Sequence, residues 1–148
     1  MGQSEKPVAG PKLPPYGLSI NNEQARKVAA AALKAARENQ WTMVVAVVDT
    51  GGHLVYLEKL DQTQVGSVDV AIAKAKSSAI FKRSTKMFQE RLARGGDGLL
   101  VLRLKDAIPV EGGLPIIVDG KLIGALGVSG GSSAEDEVCA EAGAAALS

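Results

Sequence analysis

Two short apolar runs joined by Asp119-Gly120 limit the fold more than any other segment. An Asp-Gly dipeptide between apolar runs favours a tight β-turn, because both central residues of that turn need positive φ. The segment therefore predicts a β-hairpin with strands at residues 114–118 and 122–128. More glycines lie in or beside these strands than one turn requires, namely Gly112, Gly113, Gly124, Gly127, Gly130 and Gly131. Because glycine in a strand indicates close approach by another backbone or by a ligand, the hairpin is also a candidate binding site.

A second hairpin is predicted nearer the N-terminus. Residues 41–48 are almost continuously apolar and β-branched, which is typical of a buried strand. The next four residues are turn formers, and residues 53–60 form the returning strand. A further strand is predicted at residues 99–104, which brings the number of strands to five. Consecutive strands joined by tight turns form an antiparallel sheet.

Helical spacing of small apolar residues predicts four helices. The first runs from Asn21 or Asn22, either of which can cap it, to about residue 39. The last runs over residues 133–147 and begins with Ser132-x-x-Glu135, which fits a capping box. The other two are predicted at residues 64–83 and 86–92. The chain is therefore predicted to be α+β, with a five-stranded antiparallel sheet flanked by helices, and its alanine-rich helices favour a homo-oligomer.

The second predicted helix has one apolar face, formed by Val65, Val68, Ile72, Ala75 and Ala79. On a helical wheel Lys74 lies about opposite this face. Its neighbours are alanines, so its surroundings are predicted to be sterically open. Lys74 is therefore expected to point away from the core.

Length and charge exclude several classes of protein. The chain has 148 residues, enough for one domain, predicted at residues 18–148 after a flexible leader at residues 1–17 that is rich in proline and glycine. Formal net charge is +1, and no basic cluster occurs beyond Lys82-Arg83, so binding to nucleic acid or to acidic membranes is not expected. No apolar run approaches the ~20 residues that span a bilayer, and membrane insertion is not expected either.

Glu111 is the first candidate for chemistry, because it precedes Gly112-Gly113 in the glycine-rich segment. A carboxylate beside two backbone N–H groups fits a general base, while a solvated loop carboxylate is the other interpretation. As an enzyme, the protein would act on a small organic acid or carbonyl compound, with the Gly112 and Gly113 amides stabilising an oxyanion. Lys74 would then give electrostatic support, or act as a nucleophile if an adjoining chain buried it.

The single histidine and single cysteine exclude metal sites built from several such ligands. His53 follows two glycines, so two interpretations remain open: an exposed turn residue, or an axial ligand to haem iron. Asp49 begins the same turn, and turn formation is the favoured interpretation of it. Ser129 and Gly130 precede the last predicted helix, whose N-terminal amides suit an anion, although the acids of its first turn would repel phosphate.

Taken together, three segments resemble the GlcG/HbpS family: VVAVVDTGGHLVYLEKLD (44–61), AKAKSSA (73–79) and EGGLPIIVDGKLIGALGVSGG (111–131). That family includes the C-terminal domain of PduO-type corrinoid adenosyltransferases. The resemblance implies a profilin-like α-β-α fold and assembly into oligomers. Site residues on the family's pattern positions are Asp49, Lys74, Glu111, Gly112, Gly113, Ser129, Gly130 and Asp136.

Some members of this family bind haem, and some are described as haem-degrading. The resemblance therefore implies an oligomeric protein that binds haem or another small molecule, with the enzyme described above as the alternative. An accessory module, whose glycine-rich loop only packs against another subunit, is a third interpretation. The leader resembles that of exported members, so a periplasmic or secreted location is expected, with a cytoplasmic location as the alternative.

Overall fold

A computed structural model describes residues 5–148. These residues form a four-stranded antiparallel sheet in the order β2-β1-β4-β3, with helices on both faces. The strands are β1 (Val44–Val48), β2 (Leu54–Lys59), β3 (Gly113–Val118) and β4 (Lys121–Ser129). The α-helices are α1 (Asn22–Glu38), α2 (Ser67–Phe81), α3 (Thr85–Ala93) and α4 (Ser133–Ala144). The α+β class and the antiparallel hairpins are thus confirmed.

Strand β1 is buried along its whole length because both of its faces are covered. Val45 and Val47 pack into the core formed with α1 and α4, whereas the other three residues pack against α2. A strand covered on both sides reads as a continuous apolar run, which explains why the sequence VVAVV does not alternate. This strand therefore separates two layers of helix.

Both predicted helix caps are present. The Asn21 side chain accepts a hydrogen bond from the Gln24 amide at 2.8 Å, and the Gln24 side chain accepts one from the Asn21 amide at 3.0 Å. Ser132 and Glu135 make the same reciprocal pair at the start of α4. Each cap satisfies backbone N–H groups that have no partner within their helix.

The fifth predicted strand, at residues 99–104, is wrong. Residues Gly96–Arg103 form a 3₁₀ helix, and the sheet that residues 5–148 build has four strands. Leu99 and Leu102 are 54% and 63% exposed. A strand-like sequence becomes a strand only where an edge is free to pair with it. Here the segment packs against α3 instead, and Gly98 permits this close contact because any side chain at that position would clash with the Arg91 carbonyl.

The end of the predicted leader is attached to the sheet. Beyond the end of β1, Leu122 of β4 donates to the Pro15 carbonyl at 2.8 Å and accepts from the Gly17 amide at 2.9 Å. The Tyr16 hydroxyl donates to the Ala79 carbonyl at 2.7 Å, which ties the same segment to α2. Residues 5–14 have no regular secondary structure, and the first four residues of the leader lie outside the described residues. No helix within residues 5–148 is both long and apolar enough to cross a membrane.

Helix α2 faces the sheet with only part of the face that was predicted, since Ala75 and Ala79 are buried there as expected. Val65 is 84% exposed, whereas Lys74 is 1% exposed. The buried residues of this helix are small apart from the lysine: Ser67, Ala71, Lys74, Ala75, Ser77, Ser78 and Ala79. Small residues face the strands because the helix backbone lies so close to them that larger side chains would not fit. The prediction that Lys74 points away from the core is therefore wrong.

Candidate functional site

A pair of glycines brings α2 down onto the sheet. Gly113 of β3 and Gly127 of β4 are cross-strand partners. A Cβ atom on Gly113 would lie 2.6 Å from the Lys74 carbonyl oxygen, and one on Gly127 would lie 2.6 Å from the Ala75 nitrogen. These glycines therefore allow close approach by another backbone, one of the two reasons that the sequence offered for them.

Lys74 forms a buried ion pair at this contact. Its Nζ donates to Asp136 Oδ2 and to the Val128 carbonyl, each at 2.9 Å. The two charged side chains are only 1% and 4% exposed. Burial raises the pKa of Asp136, although hydrogen bonds from Lys74 and from the Gly131 amide oppose that shift. Because neither charge reaches water, removal of one would leave the other buried without a partner, which destabilises the fold.

The segment Glu111-Gly112-Gly113 passes directly over this ion pair. Gly112 has φ +122°, and a Cβ there would lie 2.8 Å from Lys74 Nζ. Helix α3 holds the segment: the Glu111 amide donates to Gln89 Oε1, and the Gly113 amide donates to Thr85 Oγ1, both at 2.9 Å. The Gly113 N–H thus already has an acceptor, which leaves Gly112 as the oxyanion donor of the two.

Glu137 adds a second carboxyl group beside Glu111. The two residues are 6% and 9% exposed. Burial, then the negative charges of Glu111 and Glu141, raise the pKa of Glu137 to about 7. Its Oε1 is buried and has no hydrogen-bond partner among the described residues, and the same holds for Ser78 Oγ. A carboxyl group of this kind gains and loses a proton near neutral pH, as a general acid or base must.

Four predicted site residues therefore lie together: Lys74, Glu111, Gly112 and Gly113. Ser129 and Gly130 belong to the same end of the sheet but act as structural contacts. Ser129 Oγ lies 3.1 Å from Ser67 Oγ, and a Cβ on Gly130 would lie 2.9 Å from the Met43 Cα.

Asp49 and His53 lie at the opposite end of β1 from Ser129, which pairs with Val44, roughly 16 Å along the strand. Asp49 Oδ1 accepts from the backbone amides of Gly51 and His53, both at 2.9 Å, and so forms the turn. Burial works to raise the pKa of Asp49, but these hydrogen bonds and the charge of His53 lower it overall. The His53 side chain is 81% exposed, and its Nδ1 lies 3.2 Å from the same Asp49 oxygen.

Of the two acids of α4, Asp136 was placed on a pattern position of the family and Glu137 was not predicted at all, and the sequence assigned both charges to the first turn of the last helix. Acidic residues are common there because their negative charge interacts favourably with the positive end of the helix dipole. Nothing in the spacing of these acids indicates that Asp136 contacts a lysine 62 positions away. Nothing in the sequence around Thr85 and Gln89 indicates that their side chains accept hydrogen bonds from the glycine-rich segment.

Known proteins share this arrangement of elements. The sequence profile of a family described as "Haem degrading protein HbpS-like" matches residues 20–145. Protein GlcG of Escherichia coli K12 is 35% identical over 110 residues, which cover 74% of this chain and 81% of that protein. The profile match includes the elements that build the ion pair and the glycine-rich segment.

Solved structures of similar proteins have the same fold. A double mutant of HbpS from Streptomyces reticuli superposes with a TM-score of 0.81 at 30% identity, covering 99% of both chains. A complex of PduOC with haem superposes with a TM-score of 0.78 at 26% identity, covering 88% of this chain and 96% of the other. The profile match extends over most of the chain, and the resemblance predicted from the sequence is confirmed: the protein belongs to the HbpS-like family.

Proposed function

We propose that this protein binds haem. The observation that carries the proposal is its similarity, over 88% of the chain, to a PduOC domain whose structure contains haem. The description of the family as haem-degrading points to the same ligand. When bound, haem supplies a redox-active iron, and the chain must supply ligands and a surface for the ring.

His53 has the chemistry of an iron ligand. Asp49 Oδ1 is an acceptor 3.2 Å from Nδ1, which favours the neutral tautomer with its proton on Nδ1; in that tautomer the lone pair of Nε2 is available to a metal. Metal-bound histidines are commonly oriented in this way by a carboxylate. The ring is 81% exposed, so Nε2 is accessible from solvent. His53 therefore fits the role of haem ligand, with Asp49 as its positioning residue.

Hemin titration tests this proposal. The purified protein is expected to shift the Soret band of hemin. His53→Ala should change the position of that band, while Lys34→Ala, on the exposed side of α1, should not. A spectrum that stays that of free hemin contradicts haem binding. An identical band for wild type and His53→Ala contradicts only the choice of ligand.

We also propose that the chain forms a homo-oligomer. Leu99, Leu100 and Leu102 are each more than half exposed on one 3₁₀ helix. Neighbouring exposed leucines favour contact with another protein surface. Light scattering should give a mass of several subunits for the wild type and a smaller mass for Leu99→Ser/Leu102→Ser. A monomeric wild type contradicts the proposal.

A second candidate function is acid–base chemistry on a small organic acid or carbonyl compound. The specific observation in its favour is Glu137, a buried carboxyl group with a pKa of about 7 beside Glu111. Glu111 would take a proton from carbon, the C–H electrons would pass to the carbonyl oxygen, and the Gly112 amide would stabilise that oxygen. Lys74 would act through its charge, because its Nζ is held by Asp136.

Deuterium exchange into the methyl group of pyruvate in D₂O measures such proton abstraction directly. Glu111→Gln is expected to abolish exchange catalysed by the protein without changing the size of the oligomer. Glu90→Gln, an exposed carboxylate of α3, is the matched control and should retain it. Exchange that survives in Glu111→Gln removes Glu111 from the mechanism, and its absence in the wild type contradicts this activity on 2-keto acids.

A further inference from the structure

A groove of 580 Å³ lies between the leader segment and α3. Its apolar lining comes from Leu13, Met87 and Phe88, and its charged lining from Arg83, Arg91 and Arg94. The volume lies within the range of roughly 300–1,000 Å³ that is usual for small-molecule sites. The groove contains none of the residues of the buried ion pair or of the His53 turn.

The three arginines have no acidic partner in the described part of the chain. No carboxylate within residues 5–148 lies within ion-pair distance of Arg83, Arg91 or Arg94. Residues 82–94 contain five basic residues and one acidic residue, although the whole chain has a net charge of only +1. Arg91 and Arg94 are three positions apart on one helix face, where like charges repel. An anion bound in the groove would relieve that repulsion.

Part of this surface is already ordered for binding. Arg83 donates from Nε to the Phe81 carbonyl at 3.0 Å, and its guanidinium carbon lies 5.7 Å from the centre of the Phe88 ring. That bond leaves the two terminal nitrogens of Arg83 free to donate elsewhere. A guanidinium held in this way forms paired hydrogen bonds with a carboxylate at little cost in side-chain entropy.

The two kinds of lining select one class of ligand. A small inorganic anion would satisfy the arginines but leave Leu13, Met87 and Phe88 uncovered. A neutral apolar molecule would cover them but leave the guanidinium groups unpaired. A flat apolar ring with two carboxylates satisfies both, and a tetrapyrrole with its two propionates has this chemistry.

We infer that this groove binds the ring and the carboxylates of a tetrapyrrole, with Arg83, Arg91 and Arg94 holding the carboxylates. The choice of a tetrapyrrole rests on the proposed haem function. Recognition through the carboxylates does not require iron, so the groove should also bind a metal-free porphyrin. This property separates the groove from any site that depends on an iron ligand.

Fluorescence titration with protoporphyrin IX, which contains no iron, tests the inference. Arg91→Ala/Arg94→Ala should weaken binding roughly 10-fold to 100-fold, because two charge-assisted hydrogen bonds are lost. Lys27→Ala/Lys34→Ala removes the same charge from exposed positions of α1, on the other side of the sheet, and should leave binding unchanged. Added salt should weaken binding to the wild type. The dimethyl ester of protoporphyrin IX, whose carboxylates are blocked, should bind weakly and equally to all three proteins.

The outcomes separate this inference from the haem proposal, because hemin is titrated in parallel. Equal binding of protoporphyrin IX by both double variants, or no binding by the wild type, overturns the groove as the site. If hemin gives no Soret shift but protoporphyrin IX binds in an arginine-dependent manner, the groove stands and the haem function fails. If hemin binds the wild type and Arg91→Ala/Arg94→Ala equally well, the haem function stands without the groove.

Discussion

Charge is used in opposite ways in two regions of this protein. In the inner cluster, defined as Lys74, Glu111, Asp136 and Glu137, every residue is at least nine-tenths buried, and the lysine is neutralised within the chain. In the arginine groove, defined as Arg83, Arg91 and Arg94 with their apolar neighbours, the charges have no partner among the described residues. A buried charge must be paired for the chain to fold, whereas an unpaired charge at the surface remains available to a ligand.

This comparison predicts that substitutions in the inner cluster change stability, whereas substitutions in the groove change binding. The acid–base candidate shares residues with the inner cluster, so its variants need a stability measurement beside every activity measurement. Variants of the groove should not need that correction.

Lys74→Met is expected to have the largest effect. It leaves Asp136 buried and unpaired, which costs about 3–5 kcal/mol of unfolding free energy. Urea unfolding measures this loss. Lys74→Met/Asp136→Leu should recover much of it, since replacing both members of a buried ion pair by apolar groups is often close to neutral. Lys76→Met is the control: its ion pair with Asp106 is 43% and 34% exposed, and its loss should cost at most ~1 kcal/mol. Equal losses for Lys74→Met and Lys76→Met would contradict the role given to the buried pair.

Glu137→Gln is expected to have the next largest effect, and to stabilise the protein. The native state raises the pKa of Glu137 from 4.5 to about 7, so between these values it binds the proton more tightly than the unfolded chain does. Native stability is therefore lost as pH rises through this window. Glu137→Gln should match the wild type near pH 5 and exceed it at pH 8 by up to about 3 kcal/mol.

Thermal unfolding of the wild type and Glu137→Gln at both pH values measures this difference. Burial also raises the pKa of Asp136, which shifts both proteins in the same direction, so their difference isolates Glu137. Glu90→Gln, an exposed carboxylate of α3 that does not contribute to the raised pKa of Glu137, should give no pH-dependent difference. A gain in stability that is the same at pH 5 and pH 8 would show that Glu137 does not titrate in this range.

The sequence predicts the local elements of the fold better than it predicts either of these two regions. The Asp119-Gly120 hairpin, the asparagine cap of α1 and the capping box of α4 depend on residues close in sequence, and they form as expected. The fifth strand was wrong because a strand at residues 99–104 requires an edge to pair with, and the local sequence carries no information about that edge.

Within the inner cluster, the glycines predicted a close approach, but the face that Lys74 presents depends on how α2 lies over Gly113 and Gly127. The Lys74–Asp136 pair joins residues 62 positions apart, so no spacing reveals it. In the groove, Arg83, Arg91 and Arg94 are spaced by eight and three positions. They form no continuous basic run, so the sequence did not indicate that they lie together. Helix α3 and the residue that ends it bring Arg91 and Arg94 to one side, beside Arg83.

Arg91→Ala/Arg94→Ala should have the smallest effect on stability. Both side chains are exposed, neither has an acidic partner among the described residues, and alanine is the best helix former. Removing two like charges three positions apart should leave the unfolding free energy unchanged or raise it by roughly 0.2–0.5 kcal/mol. Urea unfolding beside Lys27→Ala/Lys34→Ala checks this, since that control breaks two helical ion pairs and should lose a similar small amount. A loss above ~1 kcal/mol in the arginine variant would mean that these side chains support the fold. Weaker porphyrin binding would then follow from damage to the protein, and the distinction between the two regions would fail. Unchanged stability together with weakened binding is the result that only a ligand site predicts.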